Sequence, residues 1–146
     1  MKWIDEIVLG LLDAYGTNDP EELCDVMGID VVQLDEGSPI LREENSIYIR
    51  EYGEKEIIFI RESLQPDLKS FYLRHELGHA ILHPDLKCSY RGGLINFPKL
   101  EKHANYFAFK LSGYDLEQIE IEGMNISQVA SYVRAPEDVL YEVIGR

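Results

Sequence analysis

Two histidines and a glutamate within five residues constrain this chain more than any other feature. The stretch His75-Glu76-Leu77-Gly78-His79 matches the pattern H-E-x-x-H. On a helix, residues four apart lie about 40° apart around the axis and about 6 Å apart along it, so both imidazoles can reach one Zn²⁺. The carboxylate of Glu76 points to the side, where it can deprotonate a metal-bound water without binding the metal. The motif predicts a catalytic zinc site on a helix over residues 66–83.

A catalytic zinc held by two histidines needs one more protein ligand, since such sites usually combine three ligands with a water. The metzincin pattern is excluded, because Leu82 and Asp85 occupy the positions of its glycine and third histidine. Glu101 is the best candidate, on a helix expected from Lys99 to about Ser112. A glutamate exposed in a first helical turn, where the helix dipole favours it, would look the same, so both interpretations stay open at this point.

Small side chains on the face of Glu101 would let its helix approach the motif helix closely. Ala104 and Ala108 share that face, and Gly78 leaves a matching gap on the motif helix. Asn105 shares the face as well, where it would either orient a ligand or pack between the helices. We therefore expect the two helices to contact each other near Gly78.

The remaining histidines are expected outside the metal site. His83 lies about 12 Å along the helix axis from His75, which is too far to bind the same ion and suits the end of the helix or a contact with a ligand. His103 points about 160° away from Glu101, which predicts a surface position. A hydrogen-bond donor to the developing oxyanion usually lies beside such a site. The candidates, which the sequence alone does not separate, are Tyr72, Tyr90 and Tyr106.

Taken together, two motifs resemble the ImmA/IrrE family of bacterial zinc metallopeptidases. The first runs from His75 to His83, and the second reads Glu101-x-x-Ala104-Asn105-x-Phe107-Ala108. The segment 17–24 and the strands expected before the first motif are similar to the ImmA branch, so the resemblance covers roughly residues 15–112. In that family the glutamate of the second motif is the third zinc ligand, which implies this role for Glu101. Many members continue with Leu-Leu-Met-Pro, whereas this chain has Lys110-Leu111-Ser112-Gly113-Tyr114, so this helix is expected to end differently.

The resemblance implies metal-assisted peptide hydrolysis, with Zn²⁺ polarising the scissile carbonyl and Glu76 transferring the proton of the water. The ImmA branch acts on helix-turn-helix repressors, often of phages or integrative elements, so relief of repression by cleavage is the expected function. A zincin-like architecture would pair the substrate strand with a sheet edge from residues 46–61. The alternative is a regulatory module that inactivates a repressor by binding alone, although a structural zinc site has no need of a base such as Glu76.

The expected fold is α+β, with a small, largely antiparallel sheet packed against the motif helix. Apolar runs predict strands at 31–34, 46–50 and 56–61, the last two joined by a hairpin, after helices at 2–15 and about 20–27. The absence of repeats and linkers predicts a single metallopeptidase domain over residues 1–146.

Two short helices are expected at 126–134 and 136–144, within a C-terminal hairpin over residues 126–146. Their spacing is that of a helix-turn-helix, but residues 124–146 carry two arginines against three acidic residues. A surface that reads a DNA groove should be basic, so a structural hairpin is favoured.

The charge of the chain argues against several partners. Its 27 acidic and 14 basic residues give a net charge of −13, which repels phosphate backbones and anionic lipid surfaces. The longest apolar run near the start has six residues among acidic neighbours, too short for a membrane span and too acidic for a signal peptide. Cys24 and Cys88 suggest reduced thiols. We therefore expect a cytoplasmic protein without nucleic-acid or membrane partners.

Overall fold

The computed structural model of the protein describes residues 1–90, 97–113 and 123–144. In chain order its elements are α1 (Lys2–Tyr15), α2 (Pro20–Val26), β1 (Ile29–Leu34), β2 (Ser46–Tyr52), β3 (Lys55–Arg61), α3 (Pro66–Leu82), α4 (Phe97–Leu111), α5 (Ile126–Val133) and α6 (Glu137–Ile144). This arrangement confirms the α+β class and the C-terminal helices expected from the sequence.

The sheet has three strands in the order β1-β3-β2. The expected antiparallel pairing holds for β2 and β3, which meet through a turn at Gly53, whereas β1 pairs parallel with β3. The sheet is therefore mixed, because residues 35–45 carry the chain across one end of β3 to its far edge. The central place of β3 agrees with the apolar residues on both of its faces.

One face of the sheet packs against α3, and the main core lies between them. On the sheet side Tyr48, Ile58 and Ile60 are almost fully buried, and α3 contributes Leu73 and Leu77. Helices α1, α2 and α4 close this core with Ile4, Val8, Leu23, Phe107 and Leu111. The opposite face of the sheet is covered by Leu41 from the 35–45 connection. Burial of this apolar surface fixes α3 over the sheet.

Two side chains between α1 and α2 fix helix ends. Asp19 caps α2 by accepting a hydrogen bond from the backbone N–H of Glu22 at 3.0 Å. Asn18 donates from Nδ2 to the carbonyl of Leu111 at 3.2 Å and thereby satisfies the last turn of α4. The end of α4 at Leu111 is thus held by the segment between α1 and α2, while Tyr114 lies outside the described residues.

The C-terminal helices pack on the site-bearing helices. Their apolar residues form a second core with Phe71 of α3 and with Ala108 and Phe109 of α4; they are Val129, Ala130, Val133, Val139 and Leu140. This packing agrees with a structural hairpin; residues 145 and 146 are not described. Both cysteines are free thiols. Across the parts of the chain that the structure covers, no helix has the length and apolar character needed to span a membrane.

Candidate metal centre

The two histidines of the motif and Glu101 meet between α3 and α4. Oε1 of Glu101 lies 3.3 Å from Nε2 of His75 and 2.8 Å from Nε2 of His79. One ligand atom from each residue lies within 4.8 Å of the other two. The histidines are 6% and 0% exposed, whereas the side chain of Glu101 is 23% exposed. The structure thus brings together the three ligands expected from the sequence, with an approach from solvent on the Glu101 side.

These three side chains suit a divalent metal. Two imidazole nitrogens and a carboxylate oxygen are donors that zinc prefers, and three protein ligands are typical of catalytic sites. Three electron-pair donors that converge on one point repel one another unless a proton or a cation lies between them. The convergence of His75, His79 and Glu101 therefore fits a metal ion.

Close packing at a glycine sets the distance between the two helices. A Cβ atom on Gly78 would lie 3.2 Å from Cα and 3.3 Å from the carbonyl oxygen of Ala104, and 3.0 Å from Cδ1 of Phe107. The backbone of α4 therefore reaches α3 only because position 78 has no side chain. This contact, expected from the sequence, lies one turn from Glu101 and one residue from His79.

The charges of the site depend strongly on one another. Burial lowers the pKa of His75, but the hydrogen bond and charge of Glu101 outweigh it and raise this pKa to about 9. Burial alone would raise the pKa of Glu101, yet hydrogen bonds from both histidines hold it well below its usual range. Asn105 also raises the pKa of His75, although Nδ1 of His75 has no partner of good hydrogen-bond geometry among the described residues. In the metal-free protein a proton therefore occupies the site at neutral pH.

Three imidazoles form a chain that leads away from the centre. Nδ1 of His79 lies 3.0 Å from Nδ1 of His83, and Nε2 of His83 lies 3.4 Å from Nδ1 of His103. Burial, together with the neighbouring histidines, lowers the pKa of His83 to about 4, so this ring is neutral at pH 7. If Nε2 of His79 binds a metal, its Nδ1 carries the hydrogen and donates it to His83. His83 thus contacts a proposed ligand from the helix end, one of the positions expected for it.

His103 departs from its expected surface position. The ring is only partly exposed, because it stacks on His83 with 5.6 Å between centroids and meets Trp3 of α1 edge-on at 5.1 Å. The helical wheel of α4 placed His103 away from Glu101, but it could not show that α1 and the end of α3 cover that side.

Glu76 is held by two serines that the sequence did not single out. The side chain is 2% exposed, and its Oε2 accepts a hydrogen bond from Oγ of Ser46 at 2.6 Å. Its Oε1 accepts one from Oγ of Ser89 at 2.7 Å. Ser46 begins β2, and Ser89 follows α3 by seven residues. Neither serine stands at a fixed spacing from the motif, so only the tertiary structure could identify them.

The three tyrosines have different surroundings. The ring of Tyr72 meets His75 edge-on at 6.5 Å between centroids, and burial raises its pKa, which keeps the phenol protonated. The hydroxyl of Tyr106 donates to Asp5 of α1 at 2.7 Å. Tyr90 lies in the segment after α3, where it lines a groove. Among the three, Tyr72 has a ring contact with a proposed ligand.

The edge of β2 differs from the open edge expected for substrate pairing. The backbone N–H of Arg50 donates to Lys87 at 2.8 Å, and that of Ser89 donates to Tyr48 at 2.9 Å. Ile49 and Cys88 accordingly form an antiparallel bridge. Residues 87–89 therefore occupy this stretch of the edge, because the chain turns back onto β2 after α3. A substrate strand could pair at 48–50 only by displacing them.

An open groove of about 1090 Å³ lies beside this edge. It reaches the histidine chain at His83 but does not include His75, His79 or Glu101. Its walls come from the 35–45 connection, β2, the end of α3, the segment after α3 and the start of α4. The apolar residues that line it are Pro39, Ile40, Ile47, Ile49, Leu82, Pro84, Leu86, Cys88, Tyr90 and Leu100. Such a surface suits apolar side chains of a bound peptide.

Comparison with known proteins identifies a family and two relatives that are similar to this chain. Residues 24–143 match the family model of Peptidase M78, the IrrE N-terminal-like domain. The chain is 30% identical over 147 residues to Metallopeptidase ImmA of Bacillus subtilis (strain 168), covering 92% of this chain and 80% of that protein. It is also 30% identical over 110 residues to Uncharacterized immunity region protein 2 of Bacillus phage phi105, covering 74% and 66%. No solved structure matches significantly.

Proposed function

We propose, from the premise that this chain belongs to the ImmA/IrrE family of metallopeptidases, that it is a zinc-dependent endopeptidase acting on a helix-turn-helix repressor. The observation that carries the proposal is the convergence of His75, His79 and Glu101 on one point. The buried carboxylate of Glu76 lies on the same helix as the two histidines. The three converging residues are proposed to hold zinc, and Glu76 to act as the general base.

In this proposal the protein contributes a fixed base beside a fixed metal site. A zinc ion held there supplies Lewis-acid chemistry, which polarises a scissile carbonyl and acidifies water. Glu76 takes a proton from the attacking water and returns it to the leaving amine. Tyr72 is proposed to donate a hydrogen bond to the developing oxyanion, because its phenol stays protonated and its ring contacts His75.

A repressor substrate is supported by the relatives. One is named a metallopeptidase, and another comes from the immunity region of a phage. Repressors act on DNA in the cytoplasm, so the proposal places the enzyme there and requires no contact with DNA by the enzyme itself. The apolar groove beside His83 is proposed to receive side chains of the substrate.

The test compares a repressor with an unfolded protein. Zinc-loaded enzyme is incubated with a purified helix-turn-helix repressor encoded next to its gene and, separately, with casein, and fragments are identified by mass spectrometry. We expect defined cuts in the repressor, little digestion of casein, and loss of cleavage with a chelator that added zinc reverses. Rapid digestion of casein with an intact repressor would leave a peptidase without the proposed substrate. Inactivation of the repressor without fragments would favour the binding module instead.

A further inference from the structure

We propose that Ser46 and Ser89 are positioning residues that hold the carboxylate of Glu76 in the orientation needed for proton transfer. The inference rests on the proposed peptidase function, since it concerns the base of that reaction. Both serines are buried, at 7% and 8% exposed, and each donates to a different oxygen of Glu76. The distances of 2.6 and 2.7 Å are those of hydroxyl groups that donate to an ionised carboxylate.

The direction of the hydrogen bond from Ser89 is set by the backbone. Its Oγ accepts the N–H of Tyr48 at 2.8 Å, and an N–H group can only donate. The hydroxyl hydrogen of Ser89 is therefore directed to Oε1 of Glu76. The backbone N–H of Ser89 also donates to the carbonyl of Tyr48 at 2.9 Å, so both the backbone and the side chain of Ser89 are hydrogen-bonded to β2. The hydrogen bonds of Ser89 thus connect the carboxylate of Glu76 to the backbone of β2.

The second serine completes a clamp. Ser46 belongs to β2 itself, where it pairs with Ile60 of the central strand. Because each oxygen of Glu76 accepts from a different serine, rotation of the carboxylate breaks both hydrogen bonds. An ionised carboxylate offers about four acceptor positions, so two donors leave capacity for the water that loses its proton. A base placed within a fraction of an ångström is what proton transfer requires, and the clamp supplies it.

The kinetic test removes each hydroxyl and measures repressor cleavage. For Ser46→Ala and Ser89→Ala we expect kcat to fall about 10- to 100-fold, with KM within about twofold of wild type. Zinc stoichiometry and affinity should be unchanged, because the hydroxyl groups of both serines donate to Glu76, which is not a proposed ligand. Ser127→Ala, at an exposed position of α5, is the matched control and should keep full activity. Recovery of kcat in Ser46→Thr or Ser89→Thr would show that the hydroxyl itself is needed.

A second test does not depend on activity. Urea unfolding of the purified chain is measured for Ser89→Ala, Glu76→Ala and the double variant. If Ser89 holds Glu76, the serine substitution should lower the unfolding midpoint less in the Glu76→Ala background than in wild type.

Unchanged kcat in both alanine variants, or additive midpoint shifts, would overturn the inference. A rise in kcat would also overturn it, since the serines would then restrain the base from reacting. If wild type leaves the repressor intact, the proposed function fails by itself. The unfolding cycle then decides alone whether the serine clamp exists.

Discussion

At the residue scale, Glu101 keeps a proton on His75 that competes with a metal ion. Because the pKa of His75 is raised to about 9, zinc must displace this proton at any pH below about 9. We expect the apparent zinc affinity to rise about tenfold per pH unit from about pH 6.5 to about 9 and then to level off. Competition with a chromophoric chelator measures it.

The raised pKa of His75 also makes the stability of the metal-free protein fall as the pH rises. The stabilisation from protonated His75 is fully present below about pH 6.5 and is lost as the pH rises towards about 9. The metal-free protein should therefore unfold at lower urea concentration at pH 9 than at pH 6.5, whereas zinc-loaded protein should not lose this contribution.

Both predictions require that His75 carries a proton in the metal-free protein at neutral pH. A zinc affinity that stays constant between pH 6.5 and 8.5 would contradict this requirement.

A second residue-scale prediction separates the tyrosines. Tyr72→Phe should lower kcat for repressor cleavage about 10²- to 10³-fold, as expected for the loss of an oxyanion donor, and leave zinc binding intact. Tyr106→Phe is the matched control, because its hydroxyl donates to Asp5 and it should keep kcat within a fewfold of wild type. Equal effects of the two substitutions would remove Tyr72 from the mechanism.

The site residues that could be predicted from the sequence are those whose spacing along the chain is set by a motif. His75 and His79 could be paired from their separation of four residues, and Glu101 followed from a second motif on another helix. Ser46 and Ser89 lie 30 residues before and 13 residues after Glu76, on segments whose approach depends on the whole sheet. A lone serine carries no sequence signal for such a contact.

At the element scale, the spacing of α3 and α4 controls the metal site. In Gly78→Ala the added methyl meets backbone atoms of Ala104, which cannot rotate away, so α4 must shift together with Glu101. We expect a loss of about 1–3 kcal/mol in the free energy of unfolding and weaker zinc binding. Urea unfolding and chelator competition measure the two effects.

Gly10→Ala is the matched control for this substitution. Gly10 lies within α1, and a Cβ atom there would meet nothing within 4 Å. The helix propensity of alanine should then raise the free energy of unfolding by about 0.5–1 kcal/mol with zinc affinity unchanged. Wild-type zinc affinity in Gly78→Ala would show that the helix spacing does not set the site.

The helices and strands themselves were largely predictable, because each shows a characteristic period of apolar residues within one continuous stretch of the sequence. The parallel pairing of β1 with β3 was not, since alternation identifies a strand but not its neighbour or direction. The pairing of residues 87–89 with β2 was missed for a different reason. Three residues are too few to show a period, and their partner lies about 40 positions earlier in the chain.

At the scale of the whole molecule, each part of the chain supports the centre from a different side. The sheet carries Ser46 and the segment after α3 carries Ser89, and both donate to Glu76. Helix α1 covers His103, and the C-terminal helices pack behind α3 and α4. Asn105 of α4 donates to Glu142 of α6 at 2.6 Å, which links the C-terminal hairpin to the helix of Glu101. The single domain over residues 1–146 stays a prediction, and these contacts support it.

The central claim is that the geometry of the site serves hydrolysis, and Glu76→Gln tests it most directly. The amide can accept from Ser89 and donate to Ser46, whose hydroxyl is free to turn, so the pocket should keep its shape while the base is lost. The measurement is the rate of fragment formation from the repressor by zinc-loaded Glu76→Gln relative to wild type. We predict about one equivalent of zinc in both proteins and a rate at least about 10²- to 10⁴-fold lower in the variant. Cleavage at the wild-type rate by a zinc-loaded Glu76→Gln protein would contradict the account.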